Sequence, residues 1–246
     1  MNTSNYNKKF IKCLLNGLIG ILLLGGVFFA NFAMVVFDFS HYEQQFEELD
    51  RVEFTGIEQA ELYRVTEEIL DYLKLQRSHI DITAEIEGEE ERLFTERELI
   101  HMEDVRDLFK GGYVILVGNI FLLILGFYFG SSYLTYYHGQ YLNSRREATA
   151  YLLKWGARLA LALFLLLAVI FFLGFDFWYD QLHIWLFDND YWLLNPETHN
   201  LIRIFPVPFF YNTIFRIVYR TVAHLAILLL ISWTIPRIPV NPLNKG

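Results

Sequence analysis

The sequence has very little cysteine and lacks the short motifs that usually mark an active site. Its single cysteine, Cys13, excludes an internal disulfide framework. No C-x-x-C pair and no histidine pair at zinc-ligand spacing is present, so no metal site is expected. Glycine-rich phosphate loops and the G-x-S-x-G motif are also missing, and no cofactor is expected.

The sequence also lacks a basic cluster that would suit nucleic acid. Residues 38–110 contain 22 of the 28 Asp and Glu residues but only 8 of the 20 Lys and Arg residues. Phosphate binding needs Lys and Arg gathered on one face of a protein. The acidic segment therefore excludes nucleic acid as a partner, and the remainder of the chain is basic and strongly apolar.

What the sequence does have is long apolar runs. Hydrophobic residues make up 54% of the chain, and its mean hydropathy is +0.29. Crossing a hydrocarbon core about 30 Å thick takes roughly 20 helical residues. Four segments are long enough: 13–37, 113–137, 151–175 and 209–235. We therefore predict an all-α integral membrane protein with four transmembrane helices. The first is predicted to be a membrane span and not a cleaved signal peptide, because its apolar run is longer than that of a signal peptide.

The distribution of Lys and Arg near the span ends predicts the orientation. Basic residues precede the first span, surround the connection between the second and third, and follow the fourth. We expect both termini in the cytoplasm, with cytoplasmic segments 1–12, 138–150 and 236–246. An acidic domain, 38–112, and a second loop, 176–208, are then extracellular, and function is sought there.

The predicted extracellular domain has helical patterns and one strand pattern. Thr55 with Glu58 is a capping box that predicts a helix over 56–75. Alternating residues from Ile80 to Ile86, followed by a turn at 87–91, predict a short β-hairpin.

A second capping box opens the helix that leads to the second span. It consists of Thr95 and Glu98. The glycine pair Gly111 and Gly112 predicts a bend before that span.

Two histidines are the candidate catalytic residues. His101 lies three residues before Asp104, so the carboxylate could orient the imidazole; the alternative is a surface histidine in an acidic helix. His183 lies in an aromatic segment that includes Trp192, which is also typical of an interfacial belt. Because the second and third spans return the chain to one face, we expect the two imidazoles to meet there.

The fourth span carries a cationic stripe. Arg216, Arg220 and His224 follow one another at i, i+4 and i+8. Ionisable side chains in a membrane span either extend toward the lipid headgroups or belong to a functional site. We expect His41, His79 and His138 at solvated or interfacial positions without a role, and the roles of His199 and His224 stay open.

Two long segments carry a resemblance to a known family. The stretches FTERELIHMEDVRDLF (94–109) and WYDQLHIWLFDNDYWLLNPETHNLIRIFPVPFF (178–210) resemble the lipoprotein intramolecular transacylases, Lit, of Gram-positive bacteria. The resemblance implies a multi-pass protein of the bacterial cell membrane whose partners are diacylglyceryl-modified lipoproteins and membrane lipid. It implies that His101 and His183 are catalytic and move the sn-2 acyl chain of the diacylglyceryl cysteine onto its α-amine, forming lyso-lipoprotein.

The residues suit that chemistry. An α-amine, whose pKa is about 7.7–8.0, must lose a proton, and imidazole titrates close to that range. One histidine would be the general base and the other would polarise the ester or protonate the leaving oxygen. Asp104 and Arg106 are supporting candidates, and Arg216, Arg220 and Trp192 are candidate substrate-binding residues.

Other functions fit the same residues. An interfacial hydrolase would use both histidines and release the acyl chain to water. A membrane sensor or assembly factor would bind a partner through the acidic domain without catalysis. A zinc site of His101, Asp104, His183 and His199 is geometrically conceivable but has no local ligand motif.

Overall fold

The computed structural model describes residues 3–137, 142 and 144–235, with side chains from residue 7 onward. This part of the chain is mainly helical. The helices are α1 (Thr3–Val36), α2 (Phe39–Glu48), α3 (Arg51–Thr55), α4 (Gln59–Leu73), α5 (Glu96–Tyr137), α6 (Arg145–Leu173), α7 (Phe175–Leu186), α8 (Asn200–Ile204) and α9 (Val207–Thr234), and the strands are β1 (Thr83–Ile86) and β2 (Glu89–Arg92). The predicted tail 236–246 lies outside the described residues.

Four helices are long and apolar enough to cross a membrane. They include Asn7–Val36, Glu96–Tyr137, Arg145–Leu173 and Val207–Thr234. The predicted all-α membrane fold with four spans is therefore confirmed. At Gly111 and Gly112, where a bend is predicted, α5 continues as helix.

The chain divides into two compact units. The first comprises residues 1–30, 116–170 and 218–246. Its buried core is aliphatic and includes Ile19, Leu23, Leu134, Leu152 and Leu225. Gly156 lets α6 approach α1 closely, because a Cβ at this position would lie 2.7 Å from Cγ2 of Ile19.

The second unit comprises residues 31–115 and 171–217, and it contains both candidate histidines. Its core is rich in aromatic and branched side chains, including Phe46, Leu62, Phe94 and Phe205. The predicted amphipathic helix is present as α4, with its apolar face in this core.

The predicted capping box at the start of α4 is wrong. Thr55 ends α3 instead: its hydroxyl donates to the Arg51 carbonyl and accepts from the Ile57 amide. The chain then turns at Gly56, whose φ of +72° favours glycine. Glu58 is the residue before α4, without a side-chain cap.

The predicted β-hairpin is confirmed, with a shorter turn. Strands β1 and β2 are antiparallel, and Ile86 pairs with Glu89. The turn is therefore the two residues Glu87 and Gly88, at φ of 52° and 88°. Two central residues with positive φ suit a tight hairpin turn, and glycine accepts this conformation at little cost.

Candidate active site

The start of α5 is fixed by a buried carboxylate. Glu98 is fully buried, and one of its oxygens accepts from the Thr95 amide at 2.7 Å and the Thr95 hydroxyl at 2.8 Å. The second predicted capping box is therefore confirmed. The other oxygen accepts from the Leu201 amide at 2.7 Å, which joins the beginning of α8 to the beginning of α5.

His101 lies one turn after this carboxylate and is buried, with 8% of its surface exposed. Its Nδ1 is buried and has no hydrogen-bond partner among the described residues. A buried polar atom without a partner costs free energy and calls for an explanation. A substrate group that bonds to this ring would provide one.

His183 lies on α7 and has a defined tautomer. Its Nδ1 is 2.7 Å from the carbonyl oxygen of Tyr179, one turn earlier. A carbonyl can only accept, so Nδ1 carries the hydrogen. In the neutral ring Nε2 then holds the lone pair, which is the form a general base requires.

The two imidazoles converge as predicted. Their ring centroids are 6.4 Å apart, with an interplanar angle of 36°. Phe187 contacts both rings, at 5.2 Å from His101 and 5.8 Å from His183. This separation allows one ester and a neighbouring amine to contact both histidines.

Both histidines line a cavity of about 290 Å³. The other lining residues are mostly apolar and aromatic, including Met102, Val105 and Phe210. Tyr179 also lines it, and burial, with a smaller effect of Asp180, raises the pKa of Tyr179 to about 12. The phenol therefore keeps its proton at neutral pH and is not a general base. The cavity combines an apolar chamber with two imidazoles.

Asp104 and Arg106 are not bonded to the histidines. The Asp104 carboxylate accepts from the side-chain amide of Asn189 at 2.8 Å, not from His101. Arg106 donates to the carbonyls of Tyr72 and Arg77 and ties α5 to the end of α4. No hydrogen bond among the described residues therefore supports the expectation that Asp104 orients His101.

Arg216 belongs to a separate polar network. It pairs with the Asp38 carboxylate at 3.1 Å and donates to Nδ1 of His41 at 3.1 Å. Nε2 of His41 donates to the Thr213 hydroxyl at 2.8 Å, which in turn donates to the Phe209 carbonyl. The Arg216 guanidinium therefore bonds to other groups of the protein. Arg216 is not among the residues that line the cavity, so no contact supports its candidate role in binding substrate.

The sequence predicts a solvated or interfacial position for His41, but the side chain is buried in the protein. The ring is 2% exposed. Burial, and then the neighbouring Arg216 guanidinium, lower the pKa of His41 to about 4. The signal was present in the sequence, since His41, Tyr42, Gln45 and Phe46 occupy one face of α2 and all are buried.

The remaining candidates occupy different environments. Trp192 lines the cavity and stacks on His183. Arg220 is half-buried and makes no hydrogen bond or ion pair within the described part of the chain. Nδ1 of His199 accepts from the Asn195 amide within its own loop. Among the described residues, no group of three or more His, Cys, Asp or Glu could hold a metal ion.

Comparison with known proteins gives the family. The sequence profile described as "Lipoprotein intramolecular transacylase Lit" matches residues 17–210, well over half of the chain. No curated protein matches.

Solved structures share the fold. The in meso structure of the membrane integral lipoprotein intramolecular transacylase Lit from Bacillus cereus is similar, with a TM-score of 0.73 and 16% identity over 93% of this chain and 97% of that chain. Two variants of the same protein match at the same TM-score and identity. The variant with one histidine replaced by arginine covers 96% of this chain and 96% of its own. The variant with that histidine replaced by alanine covers 95% of this chain and 97% of its own. The chain therefore belongs to the lipoprotein intramolecular transacylase family and is a membrane acyltransferase.

Proposed function

We propose that His101 and His183 transfer the sn-2 acyl chain of a lipoprotein's S-diacylglyceryl cysteine to the α-amine of the same cysteine. The observation that carries this proposal is the convergence of the two rings, 6.4 Å apart, on one apolar cavity. The reaction is intramolecular, so proximity already lowers its barrier. The protein mainly has to move a proton and stabilise an oxyanion.

His183 is the general base in this mechanism. The hydrogen bond from its Nδ1 to the Tyr179 carbonyl leaves Nε2 as the basic nitrogen. Nε2 removes a proton from the α-amine as its nitrogen attacks the ester carbonyl. When the C–O bond breaks, the imidazolium returns that proton to the glyceryl oxygen. One proton thus moves from nitrogen to oxygen, and no external reactant is consumed.

His101 is the electrophile. A neutral, buried imidazole carries one N–H that donates to the carbonyl oxygen as negative charge develops on it. His101 also lines the cavity, which supports contact between its ring and a substrate bound there. A donor of this kind is worth most in a site that excludes water.

The apolar cavity favours transfer over hydrolysis. Its aromatic and aliphatic lining suits the acyl chain of the substrate and offers few polar groups that could hold a water molecule against the ester. We further propose that this site opens at the extracellular face of the cell membrane, because the positive-inside pattern puts both termini in the cytoplasm.

The test uses a purified, detergent-solubilised enzyme and a diacylglyceryl lipoprotein with a free α-amine. His183→Ala should reduce the rate of transfer at least about 100-fold, and His101→Ala should reduce it about 100- to 1,000-fold. Tandem mass spectrometry measures the N-acyl product, whose mass equals that of the substrate. His79→Ala, at an exposed histidine, is the matched control and should retain full activity.

A substrate with an acetylated α-amine separates transfer from hydrolysis. It has no acceptor, so the proposed mechanism gives no product. Release of free fatty acid from this substrate at the normal rate would identify a hydrolase instead. Full transfer by either alanine variant at normal protein levels would contradict the catalytic assignment.

A further inference from the structure

The indole of Trp192 lies against the candidate base. Its ring is 4.8 Å from that of His183, and the interplanar angle of 25° makes the pair stacked. The other aromatic neighbours of His183 are more steeply inclined: Tyr179 is at 53° and Phe187 at 37°. Trp192 thus defines the plane of the imidazole, while the Tyr179 carbonyl holds Nδ1.

Trp192 lies in a segment without helix or strand, so contacts outside this segment must hold it. Asn189 makes the first anchor: its amide donates to Asp104 at 2.8 Å, and its oxygen accepts from the Tyr191 backbone. Arg97 makes the second, donating to the carbonyls of Asp190 and Leu193. The guanidinium of Arg97 also lies 5.4 Å from the Tyr191 ring.

The two anchors flank His101 on α5. Arg97, His101 and Asp104 are separated by four and three residues, so they lie along one stripe of the helix. The helix that presents one catalytic histidine therefore also fixes the segment that stacks on the other. The positions of both imidazoles, His101 and His183, therefore depend on contacts with the same rigid helix, α5.

We propose that Trp192 is a positioning residue that orients the His183 imidazole toward His101, and that Arg97 and Asp104 hold Trp192 in place through the backbone around it. The proposal rests on the proposed function, since it assigns His183 as the base. Stacking restricts rotation of the imidazole about its side-chain bonds. An indole face also stabilises the imidazolium that forms when His183 accepts a proton.

The first test compares flat and branched replacements of Trp192. Trp192→Leu should lower kcat on the order of 10- to 100-fold, with KM within about twofold, because misplacement of a catalytic group by about 1 Å costs a factor of this size. Trp192→Phe retains a ring and should recover most of the activity. Trp185→Leu is the matched control on α7, at a side chain 66% exposed, and should leave kcat unchanged. Equal activity of Trp192→Leu and wild type would overturn the proposal.

The second test needs no substrate and reports on the stacked pair alone. Stacked rings shift each other's protons upfield in NMR spectra, so the ring protons of His183, identified by their loss in His183→Asn, should show an upfield shift in the wild-type enzyme. Trp192→Leu should reduce that shift, and Trp185→Leu should leave it unchanged. An unchanged shift in Trp192→Leu would show that the pair does not stack in solution. If the shift behaves as expected but His183→Ala remains active, the proposed function fails and the stacking stands.

The third test distinguishes an anchor from a group that acts on His101. Asp104→Ala and Asn189→Ala should each lower kcat by a similar factor, and the double variant should lose no more than either. Asp104→Asn keeps an oxygen that accepts from Asn189 and should retain most activity. The proposal would be contradicted if the losses of kcat in the two single variants added up in the double variant, or if Asp104→Asn lost as much kcat as Asp104→Ala. Either result would indicate that Asp104 acts directly on His101 by electrostatics.

Discussion

At the scale of single residues, hydrogen-bond partners separate histidines that look alike in the sequence. Nδ1 of His183 has a backbone acceptor, Nδ1 of His101 has no partner within the described chain, and both ring nitrogens of His41 are bonded. These differences support the proposed roles of His183 as base and His101 as electrophile, and they identify His41 as a structural residue. Each follows from the donor and acceptor inventory of imidazole.

The sequence predicts which histidines meet but not how each is held. His101 and His183 could be paired because two spans return the chain to one face of the membrane. The partner of Asp104 could not be predicted, since Asn189 is 85 residues away and the local spacing to His101 offered a nearer one. The bond from His41 to Thr213 spans 172 residues, so no local pattern indicates it.

Acidic pH should lower the free energy of unfolding, because the pKa of His41 is lower in the folded protein than in the unfolded chain. Its pKa is about 4 in the folded protein and about 6.5 in an unfolded chain, so the unfolded chain binds more protons between these values. This stabilisation is fully present above pH 6.5 and is lost as the pH falls toward 4. The loss is at most about 3 kcal/mol, since each tenfold difference in proton affinity corresponds to about 1.4 kcal/mol.

Thermal unfolding in detergent at pH 7.5 and pH 5 measures this effect. His41→Gln can donate to Thr213 and accept from Arg216 but does not titrate, so its unfolding temperature should depend less on pH than that of the wild type. His79→Gln, at an exposed position, should keep the wild-type dependence. An identical pH dependence in His41→Gln and wild type would exclude His41 as the origin.

At the scale of elements, two similar capping signals had different outcomes. Thr95 and Glu98 form the expected reciprocal bonds, whereas Thr55 and Glu58 do not. The difference is tertiary. Glu98 gains a third donor from Leu201, while Gly56 and the preceding α3 divert the chain at Thr55. Sequence spacing predicts a possible cap, and the packing around it decides whether the cap forms.

Removing the cap of α5 should destabilise the second unit. Thr95→Ala should cost about 1 kcal/mol of unfolding free energy. Glu98→Ala should cost more, about 2–3 kcal/mol, because it removes the acceptor of three donors, one of which is the buried Leu201 amide. Thermal unfolding of the purified protein measures both. Glu103→Ala, an exposed change on the same helix, should have little effect, and equal loss in all three variants would contradict this account.

At the scale of the whole molecule, hydropathy predicts most of the fold. Four long apolar runs predict four membrane helices, and four of the described helices are long and apolar enough to cross a membrane. One of them, α5, begins at Glu96, far before its apolar run. Hydropathy identifies only the apolar part of a helix. It therefore cannot locate a helix end, such as the start of α5, that lies in a polar segment.

Topology can be tested by cysteine labelling in intact cells. In a Cys13→Ser background, His79→Cys should react with a membrane-impermeant maleimide added outside, because residues 38–112 are proposed to be extracellular. Ser144→Cys should react only after the membrane is permeabilised. The reverse pattern would place the active site in the cytoplasm, and labelled protein on gels gives the result directly.

The outer strand of the hairpin restricts how the chain can self-associate. All four residues of β2, Glu89, Glu90, Glu91 and Arg92, are exposed. An unpaired strand edge normally offers its amides and carbonyls to any extended peptide. Three consecutive carboxylates on β2 would face like charges in a second copy aligned strand to strand, and their repulsion opposes growth of the sheet. The charge of β2 therefore disfavours the addition of a third strand at this edge.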